Sequence, residues 1–510
     1  MINMGLWLKL KLFITILIGK FLIALCRFVK LGGTSFPGKV AEKLYPGILK
    51  KLSAGLKIVM VTGTNGKTTT TRIIEKILQE NKVRYITNKS GANLVNGVIT
   101  TFIEAVDLSG KTDASIALIE IDEAAFSKIC SSMVPHILVV TNFFRDQLDR
   151  YGELYGTLNL VKKTAALFDN IKLVLNADDS LCASIGKDLN NEVIYYGIDK
   201  ESLAQKSTES YMNENVNLKT DADINGVIDA HTDANTNTDK NSKLSLNNEV
   251  CNSKDAVFCL YCQSKYEYDY HIYGHLGGFK CPNCGYIRPS ADISCIAITE
   301  MKDTHTDVEM RFGDQVIKTR VNLPGLYNVY NALAAAACSE VLGLPVQNTV
   351  KALGSFESGF GRMETIAADD KFLKLILVKN PTGFDQVLSY FIDQNDDNLQ
   401  IAFIINDNAA DGRDISWLWD VDFEKLLRII HRKPEFYVSG LRAEDMAVRL
   451  KYAGIDTDKI VIIKDYNELV NKGLSKTKPG KSFYILPTYT AMLELRKLLK
   501  LKYKLHDFWE

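Results

Sequence analysis

The chain has 510 residues, which is long enough for roughly three or four domains with sizeable cores. Apolar residues make up 46% of it and charged residues 24%, as in soluble globular proteins. Lys+Arg and Asp+Glu both number 61, so no global charge favours nucleic acid or an acidic surface. Four of the ten cysteines are clustered and six are scattered, which argues against a disulfide framework and for a reducing compartment, the cytosol.

The first 50 residues predict an apolar, cationic helical segment. Residues 12–26 are mostly apolar, with Gly19 and Lys20 inside the run, and Lys20 leaves no uninterrupted stretch long enough to favour a membrane span. Leu25 is too large for a lipoprotein cleavage box, which disfavours a signal peptide. Two alternatives remain open: a helix lying on the inner membrane surface, or a first helix packed on the protein's own core.

The stretch Gly63-Thr-Asn-Gly-Lys-Thr-Thr-Thr70 follows a strand-like run, Lys57–Val61, and precedes a helix-like segment. Glycines let backbone N–H groups approach a phosphate, and the helix start adds favourable partial charge. Lys67 is expected to reach the outer phosphates of ATP, and the Thr68 hydroxyl to hold Mg2+. The strict motif would begin with glycine at Val61, so this is a shorter variant. The competing interpretation is a tight turn with a surface lysine.

Between residues 56 and 197, strand-like runs alternate with helical patterns, which predicts βαβ units and a largely parallel sheet. The predicted strands are Lys57–Val61, Ala117–Ile121, Ile137–Thr141, Ile171–Asn176 and Val193–Tyr196. Residues 201–255 are rich in Asn, Asp, Thr, Ser and Lys, and we predict a disordered insertion there because so little apolar surface could be buried.

A four-cysteine cluster follows the insertion. Cys259-x-x-Cys262 and Cys281-x-x-Cys284 are separated by eighteen residues, a spacing typical of zinc ribbons. Four thiolates close a tetrahedral site, so the predicted Zn2+ is structural. We place the ribbon at residues 256–290. Nucleic-acid binding by the ribbon is the less favoured alternative, because no basic stripe accompanies it.

The remaining chain predicts antiparallel strands at 292–301, 308–312 and 315–321, a helix at 328–341, and a second α/β domain. Its five predicted strands are Phe372–Val378, Ile401–Ile405, Phe436–Val438, Ile460–Ile463 and Ser482–Leu486. The expected domains are therefore residues 1–50, a central ATPase domain at 51–364 that contains the insertion and ribbon, and a Rossmann-like α/β domain at 365–510.

These residues resemble the Mur ligase superfamily of ATP-dependent amide-forming enzymes, from about residue 32 onward. The similar stretches, besides the phosphate loop, are Leu118–Glu123 (LIEIDE), Thr141–Arg150 (TNFFRDQLDR), Val174–Asp179 (VLNADD), Leu323–Asn331 (LPGLYNVYN) and Gly361–Glu364 (GRME). The resemblance implies a P-loop ATPase domain followed by an α/β C-terminal domain.

Carried over by resemblance, the nucleotide-binding residues are Gly63, Thr64, Asn65, Gly66, Lys67, Thr68, Thr69, Asn328, Asn331 and Arg362. Glu120 matches a glutamate that binds Mg2+ together with Thr68, although a lone Glu at a strand end is often a solvated carboxylate. Asn328 has a second possible role as a helix cap. Arg362 matches an arginine that contacts the phosphates.

Four further features are similar to the MurT family, the synthetase subunits of lipid II isoglutaminyl synthases. They are Gly32–Gly38 (GGTSFPG), the ribbon, Ala410–Phe423 (ADGRDISWLWDVDF) and Leu486–Ala491 (LPTYTA). This resemblance implies amidation of the α-carboxyl of D-glutamate in lipid II through an acyl phosphate, giving D-isoglutamine.

Ammonia for such a reaction would come from a separate glutaminase subunit, GatD, because no cysteine of this chain lies in a Gly-x-Cys-x-Gly turn. By resemblance, an aspartate of the last domain completes the triad of that subunit. We favour Asp420 over Asp414 and Asp422, because Trp417 and Trp419 precede it closely and suit an interface. The competing role for Asp420 is to cap the next helix.

Three departures from the superfamily pattern concern the acceptor side. Gln147 replaces a histidine, which puts a second Mg2+ in doubt. Tyr327 replaces another histidine, and Val378-Lys-Asn-Pro381 replaces an Asp-containing segment. Two alternative functions stay open: an amino-acid-adding Mur or folate-type ligase, and a non-catalytic ATP-binding scaffold with a zinc ribbon for protein contacts.

Overall fold

The computed structural model describes residues 4–28, 35–88, 92–145, 154–202, 255–302, 304–357, 362–393, 397, 399–503 and 505. The predicted disordered insertion lies outside the described residues except at its ends. The same holds for Gln147 and for parts of the motifs at residues 32–38, 141–150 and 361–364.

Three helices come first, and strands and helices then alternate up to residue 198. The helices are α1 (Met4–Phe28), α2 (Phe36–Leu44), α3 (Ile48–Leu52), α4 (Lys67–Glu80), α5 (Val95–Ala105), α6 (Glu123–Cys130), α7 (Leu154–Ala165) and α8 (Ser180–Asp188). The strands are β1 (Lys57–Thr62), β2 (Tyr85–Thr87), β3 (Ile116–Glu120), β4 (Ile137–Val140), β5 (Lys172–Asn176) and β6 (Val193–Ile198). All five predicted strands are therefore present, and β2 was not predicted.

Antiparallel strands and two helices follow the insertion. They are β7 (Glu267–Tyr273), β8 (Leu276–Lys280), β9 (Ile293–Met301), β10 (Thr306–Phe312), β11 (Gln315–Val321), α9 (Leu326–Leu342) and α10 (Val346–Gly354). The central sheet has nine strands in the order β11-β10-β9-β6-β5-β4-β1-β3-β2. Among the strand pairs of this sheet in the described residues, only those of β10 with its two neighbours are antiparallel. This mixed α/β sheet confirms the predicted fold class.

The central sheet is buried on both faces because its inner strands are nearly continuous apolar runs. Successive side chains of β1 point to opposite layers. Ile58 and Met60 pack in the cluster that contains α5 and α6, whereas Val59 and Val61 pack in the cluster that contains α4 and α9. The turn that follows β1 is thereby held between two hydrophobic layers.

One face of α1 packs on the central domain. Leu12, Ile16 and Ile23 are buried in its first hydrophobic cluster, and Gly19 lies against Ile103 of α5. For this face, the alternative of a first helix packed on the protein's own core is confirmed. Among the helices in the described parts of the chain, none combines the length and apolarity needed to cross a membrane.

The C-terminal region forms a second, six-stranded sheet in the order β12-β13-β17-β14-β15-β16, in which only β12 is antiparallel. Its elements are β12 (Arg362–Ala368), β13 (Lys371–Ile376), α11 (Pro381–Asp393), β14 (Gln400–Ile404), β15 (Glu435–Ser439), α12 (Ala443–Tyr452), β16 (Ile460–Ile462), α13 (Tyr466–Lys476), β17 (Ser482–Pro487) and α14 (Tyr489–Tyr503). Short 3-10 helices occupy Ser416–Trp419, Phe423–Arg432 and Thr457–Lys459. The five strands predicted here are all present, and the edge strand β12 was not predicted.

Candidate functional site

The phosphate loop joins the end of β1 to the start of α4. Gly63 and Gly66 have φ values of 119° and 84°, a region that favours glycine. A Cβ atom on Gly66 would lie 2.1 Å from Asn331 Oδ1, and one on Gly63 would lie 2.3 Å from Thr141 Oγ1. Both glycines are therefore required for the loop to fit against its neighbours.

Lys67 is the first residue of α4, and its ammonium group lies over the loop. Nζ donates to the Gly63 carbonyl at 2.5 Å and contacts Glu123 Oε1 at 3.2 Å. Both side chains are largely buried. A buried lysine that is shared between a loop carbonyl and a carboxylate is well placed to stabilise negative charge on a phosphate at this loop.

Glu120 ends β3 directly beside β1, where it is in register with Val61. It is buried, and its backbone is fixed by Asn88, which accepts from Glu120 N at 2.8 Å and donates to Glu120 O at 2.7 Å. Thr68, in the first turn of α4, is half-buried. Carboxylate and hydroxyl oxygens are the hard donors that Mg2+ prefers, so each of these side chains is of a type that could hold the ion.

Asn328 and Asn331 lie on α9 and are hydrogen-bonded to each other at 3.1 Å. Thr70 Oγ1 lies 3.4 Å from Asn331 Oδ1, so this pair is next to the phosphate loop. Gly325 occupies the N-cap position of α9, and the Asn328 amide donates instead to Pro324 O at 2.7 Å. The capping role considered for Asn328 is therefore wrong. Arg362 begins β12, and its side chain lies outside the described residues.

Asn65, at the tip of the phosphate loop, is braced by two distant parts of the chain. Its backbone N–H donates to Asn142 Oδ1 at 2.9 Å, and its carbonyl accepts from Thr141 Oγ1 at 2.7 Å. Its side-chain oxygen accepts from the Asn380 amide at 2.8 Å. Asn380 is buried and also accepts from Gly383 N in the first turn of α11, so the C-terminal region contacts the loop directly.

The four cysteines converge on one point. Their sulfur atoms lie within 4.8 Å of one another, with 3.5 Å between Cys259 and Cys284 and 3.3 Å between Cys262 and Cys281. A backbone hydrogen bond from Ser264 lowers the pKa of Cys262 to about 5, which favours the thiolate that a metal requires. The donor set and the geometry fit a closed zinc ribbon.

A chain of hydrogen bonds connects the ribbon hairpin β7–β8 to the phosphate loop. His275 Nε2, at the hairpin turn, lies 3.1 Å from Asp179 Oδ1, and Asp179 Oδ2 accepts from Phe143 N at 2.8 Å. Phe144 N then donates to Thr64 Oγ1 at 3.1 Å. Burial alone would raise the pKa of Asp179, but the charge and hydrogen bond of His275 and the N–H of Phe143 hold it below its usual value.

Asp420 belongs to the C-terminal unit, in the segment between β14 and β15. It is exposed and follows the 3-10 helix Ser416–Trp419 as its C-cap. Asp422, not Asp420, occupies the N-cap position of the next helix, so the capping role considered for Asp420 is wrong. Of the two tryptophans, Trp417 is buried in the core, whereas Trp419 is 53% exposed and packs edge-on against exposed Tyr452.

Arg449 fixes the backbone on both sides of Asp420 from the protein interior. Its buried guanidinium donates to the carbonyls of Leu418 and Val421 and pairs with Glu424 at 2.9 Å. The same group lies 5.4 Å from the Trp419 ring centroid, a cation–π contact. Asp420 and Trp419 are therefore presented to solvent by a rigid support.

Known structures share this fold across almost the whole chain. A pseudomurein peptide ligase type C from Methanothermus fervidus matches with a TM-score of 0.60 at 20% identity, covering 89% of this chain and 80% of that one. The MurF ligase from Thermotoga maritima in complex with ADP matches with a TM-score of 0.57 at 11% identity, covering 92% and 84%. The Mur ligase middle domain family matches residues 61–235. The fold is that of the Mur ligases.

The MurT ligase C-terminal family matches residues 377–492. The lipid II isoglutaminyl synthase (glutamine-hydrolyzing) subunit MurT of Streptococcus pneumoniae is 34% identical over 92% of this chain and 92% of that protein. The protein of the same name from Staphylococcus aureus is 31% identical over 92% and 93%. The chain belongs to the MurT family.

The sequence does not predict several residues of the site. Glu123, the partner of Lys67, is the last residue of the motif Leu118–Glu123, so the motif could have indicated it. Asn88 and His275 reach the site from distant segments, and nothing in their local sequence marks them. Asn380 lies in the segment Val378–Pro381, which departs from the superfamily pattern, but its contact with the phosphate loop has no signal in the sequence.

Proposed function

We propose that this protein is the synthetase subunit of a lipid II isoglutaminyl synthase. The observation that carries the proposal is the match with relatives of that name along 92% of the chain, which includes both the ATPase and the C-terminal regions. In the proposed reaction, the α-carboxylate of D-glutamate attacks the γ-phosphorus of ATP, and ADP leaves. Ammonia then attacks the acyl carbon and gives up one proton, phosphate leaves with the bonding electrons and carries that proton away as hydrogen phosphate, and the amide of D-isoglutamine remains.

The proposed nucleotide site consists of residues 63–69 with Asn328, Asn331 and Arg362. Lys67 would stabilise the charge that develops on the transferred phosphoryl group, and Arg362 would contact the phosphates. Thr68 and Glu120 would hold Mg2+, which offsets phosphate charge when bound. The close packing of Gly63 and Gly66 supports this assignment, because it leaves the loop backbone rigid and ready for an anion.

The proposed Zn2+ in the ribbon is structural, since Cys259, Cys262, Cys281 and Cys284 leave no open coordination position. Its proposed effect on the nucleotide site is indirect. The ribbon holds His275 against Asp179, and Asp179 holds the segment that braces Thr64 and Asn65.

His275→Ala should weaken ATP binding about tenfold, because buried Asp179 would lose its imidazole partner, keeping only backbone N–H donors, and the bracing segment would loosen. Titration calorimetry with a non-hydrolysable ATP analogue measures this. His271→Ala is the matched control, since His271 lies on the same hairpin but is exposed. Equal affinities for both variants and the parent protein would contradict the proposed coupling.

The proposed ammonia source is a separate glutaminase subunit, GatD, whose triad is completed by Asp420. The exposure of Trp419 and Tyr452 beside Asp420 supports an interface at this surface, because exposed aromatic side chains on a rigid support are typical anchors. The ATP requirement and the free thiols favour the cytoplasm, at the inner face of the membrane that carries the lipid substrate.

The deciding experiment is co-purification with a candidate glutaminase, followed by mass spectrometry of lipid II incubated with ATP and glutamine. We expect a mass decrease of about 1 Da per stem peptide, the change when a hydroxyl is replaced by an amino group, only with both subunits and ATP. Addition of an amino acid instead of ammonia would indicate the amino-acid-adding alternative. ATP binding with no product would indicate the scaffold.

A further inference from the structure

The face of α1 that points away from the protein is an uninterrupted apolar stripe. Its members recur every three or four residues, the spacing of one helix face, and all are exposed. They are Trp7, Leu10, Ile14, Leu17, Phe21, Leu25 and Phe28. Phe21 is 65% exposed and Phe28 is 86% exposed. At 1.5 Å per residue, the stripe extends for about 30 Å. Such a surface is far more apolar than the exposed side of an ordinary amphipathic helix.

The segment that contains the stripe is almost entirely positive in its charged residues. Residues 1–56 contain nine Lys or Arg and a single acidic residue, Glu42, which gives a formal charge of +8 in a chain whose total is zero. Within α1 there are four cations and no acidic residue. Lys9 and Arg27 lie on the same edge of the exposed stripe, and both are exposed. This combination is complementary to an anionic lipid surface, whereas a second copy of the same face would be repelled.

The stripe is also connected to the proposed active site. Lys20 Nζ donates to Glu104 O, and Arg27 pairs with the Glu104 carboxylate at 2.6 Å, so α1 is fixed along α5. Just ahead of α5, Asn93 O accepts from Asp122 N, between Glu120 and Glu123. Two more exposed apolar side chains, Phe36 and Leu94, flank the contact of α2 with the start of α5.

We propose that α1 lies in the plane of an anionic membrane surface, with the stripe facing the lipids. This placement would hold Glu120 and Glu123 of the proposed active site near a membrane-borne substrate. The identity of that substrate rests on the proposed function. The docking itself does not, because it follows from the exposed stripe and the charge of the first 56 residues.

Binding of the full chain to vesicles of phosphatidylglycerol and phosphatidylcholine, compared with phosphatidylcholine alone, tests the proposal by co-sedimentation. We expect binding that strengthens with phosphatidylglycerol and weakens with salt. The double variant Leu17→Glu/Phe21→Glu should bind at least about tenfold more weakly. The matched control is Leu167→Glu/Leu501→Glu, which changes two apolar residues exposed elsewhere and should leave binding intact.

Three outcomes would overturn the proposal: no vesicle binding by the parent chain, unchanged binding by the α1 variant, or a dimer in sedimentation velocity that the α1 variant dissociates. Circular dichroism of both variants checks that each is folded. Amidation of detergent-solubilised lipid II with the glutaminase present separates the two proposals. If the parent chain binds vesicles but produces no amide, the proposed function fails and the docking stands.

Discussion

Replacing Lys67 by alanine should lower ATP-dependent amidation by roughly a hundred- to a thousandfold, as expected when one preorganised charge is removed from a developing oxyanion. Lys67 lies over the phosphate loop, and its ammonium group contacts Gly63 O and Glu123. The measurement is initial-rate amidation with the glutaminase subunit, ATP, glutamine and lipid II. Loss should occur in kcat more than in KM, because the contact strengthens as charge develops.

Lys163→Ala is the control for Lys67→Ala. Lys163 is exposed on α7, so its removal should leave the rate unchanged. Because Lys67→Ala leaves Glu123 buried without its cation, thermal unfolding of the Lys67→Ala/Glu123→Gln double variant should accompany the assay. A double variant that is stable and fully active would refute the role of the phosphate loop.

Asp420→Asn should reduce glutamine-dependent amidation by about ten-thousandfold, the scale of loss when the aspartate of a nucleophile–His–Asp triad becomes an amide. Amidation supplied with ammonium salts should continue at the parent rate, because Asp420 belongs to the C-terminal surface rather than to the phosphate loop. Comparing the two nitrogen sources in one assay makes the effect on the glutaminase visible without interference from the ATP site.

Asp414→Asn and Asp422→Asn are the comparisons for Asp420→Asn. Asp414 accepts from Ser416 N, and Asp422 lies 3.8 Å from Lys425, so both have structural roles nearby. If one of these variants loses glutamine-dependent amidation and Asp420→Asn does not, the triad aspartate is that residue and not Asp420. Loss of ammonia-dependent activity in Asp420→Asn would show that the residue serves the synthetase itself.

The predictable parts of this protein are those with a local cause. Inner strands such as β1 and β14 are continuous apolar runs, and glycine spacing marks the phosphate loop before any contact is known. The two cysteine pairs are equally local. β2, with three residues, is too short for a periodic signal, and β12 has one antiparallel partner at the sheet edge.

The parts of the site that could not be predicted arise from contacts between distant segments. His275 is one of seven histidines, and only folding of the ribbon hairpin against Asp179 distinguishes it from exposed His271. Trp417 and Trp419 look equivalent in sequence, yet one fills the core and the other reaches solvent. The two residues lie two positions apart in a short 3-10 helix, so their side chains point in different directions.

The hydrogen bond from Asn380 to Asn65 joins residues that are 315 positions apart. On a ribosome that adds about 5–20 residues per second, this separation corresponds to roughly 15–60 s of synthesis. Asn65, whose other hydrogen bonds described above go to residues 141 and 142, is therefore made well before its contact with Asn380. The phosphate loop therefore lacks its contact with the C-terminal region until Asn380 has been synthesised. A chain that stops before Asn380 never forms this hydrogen bond.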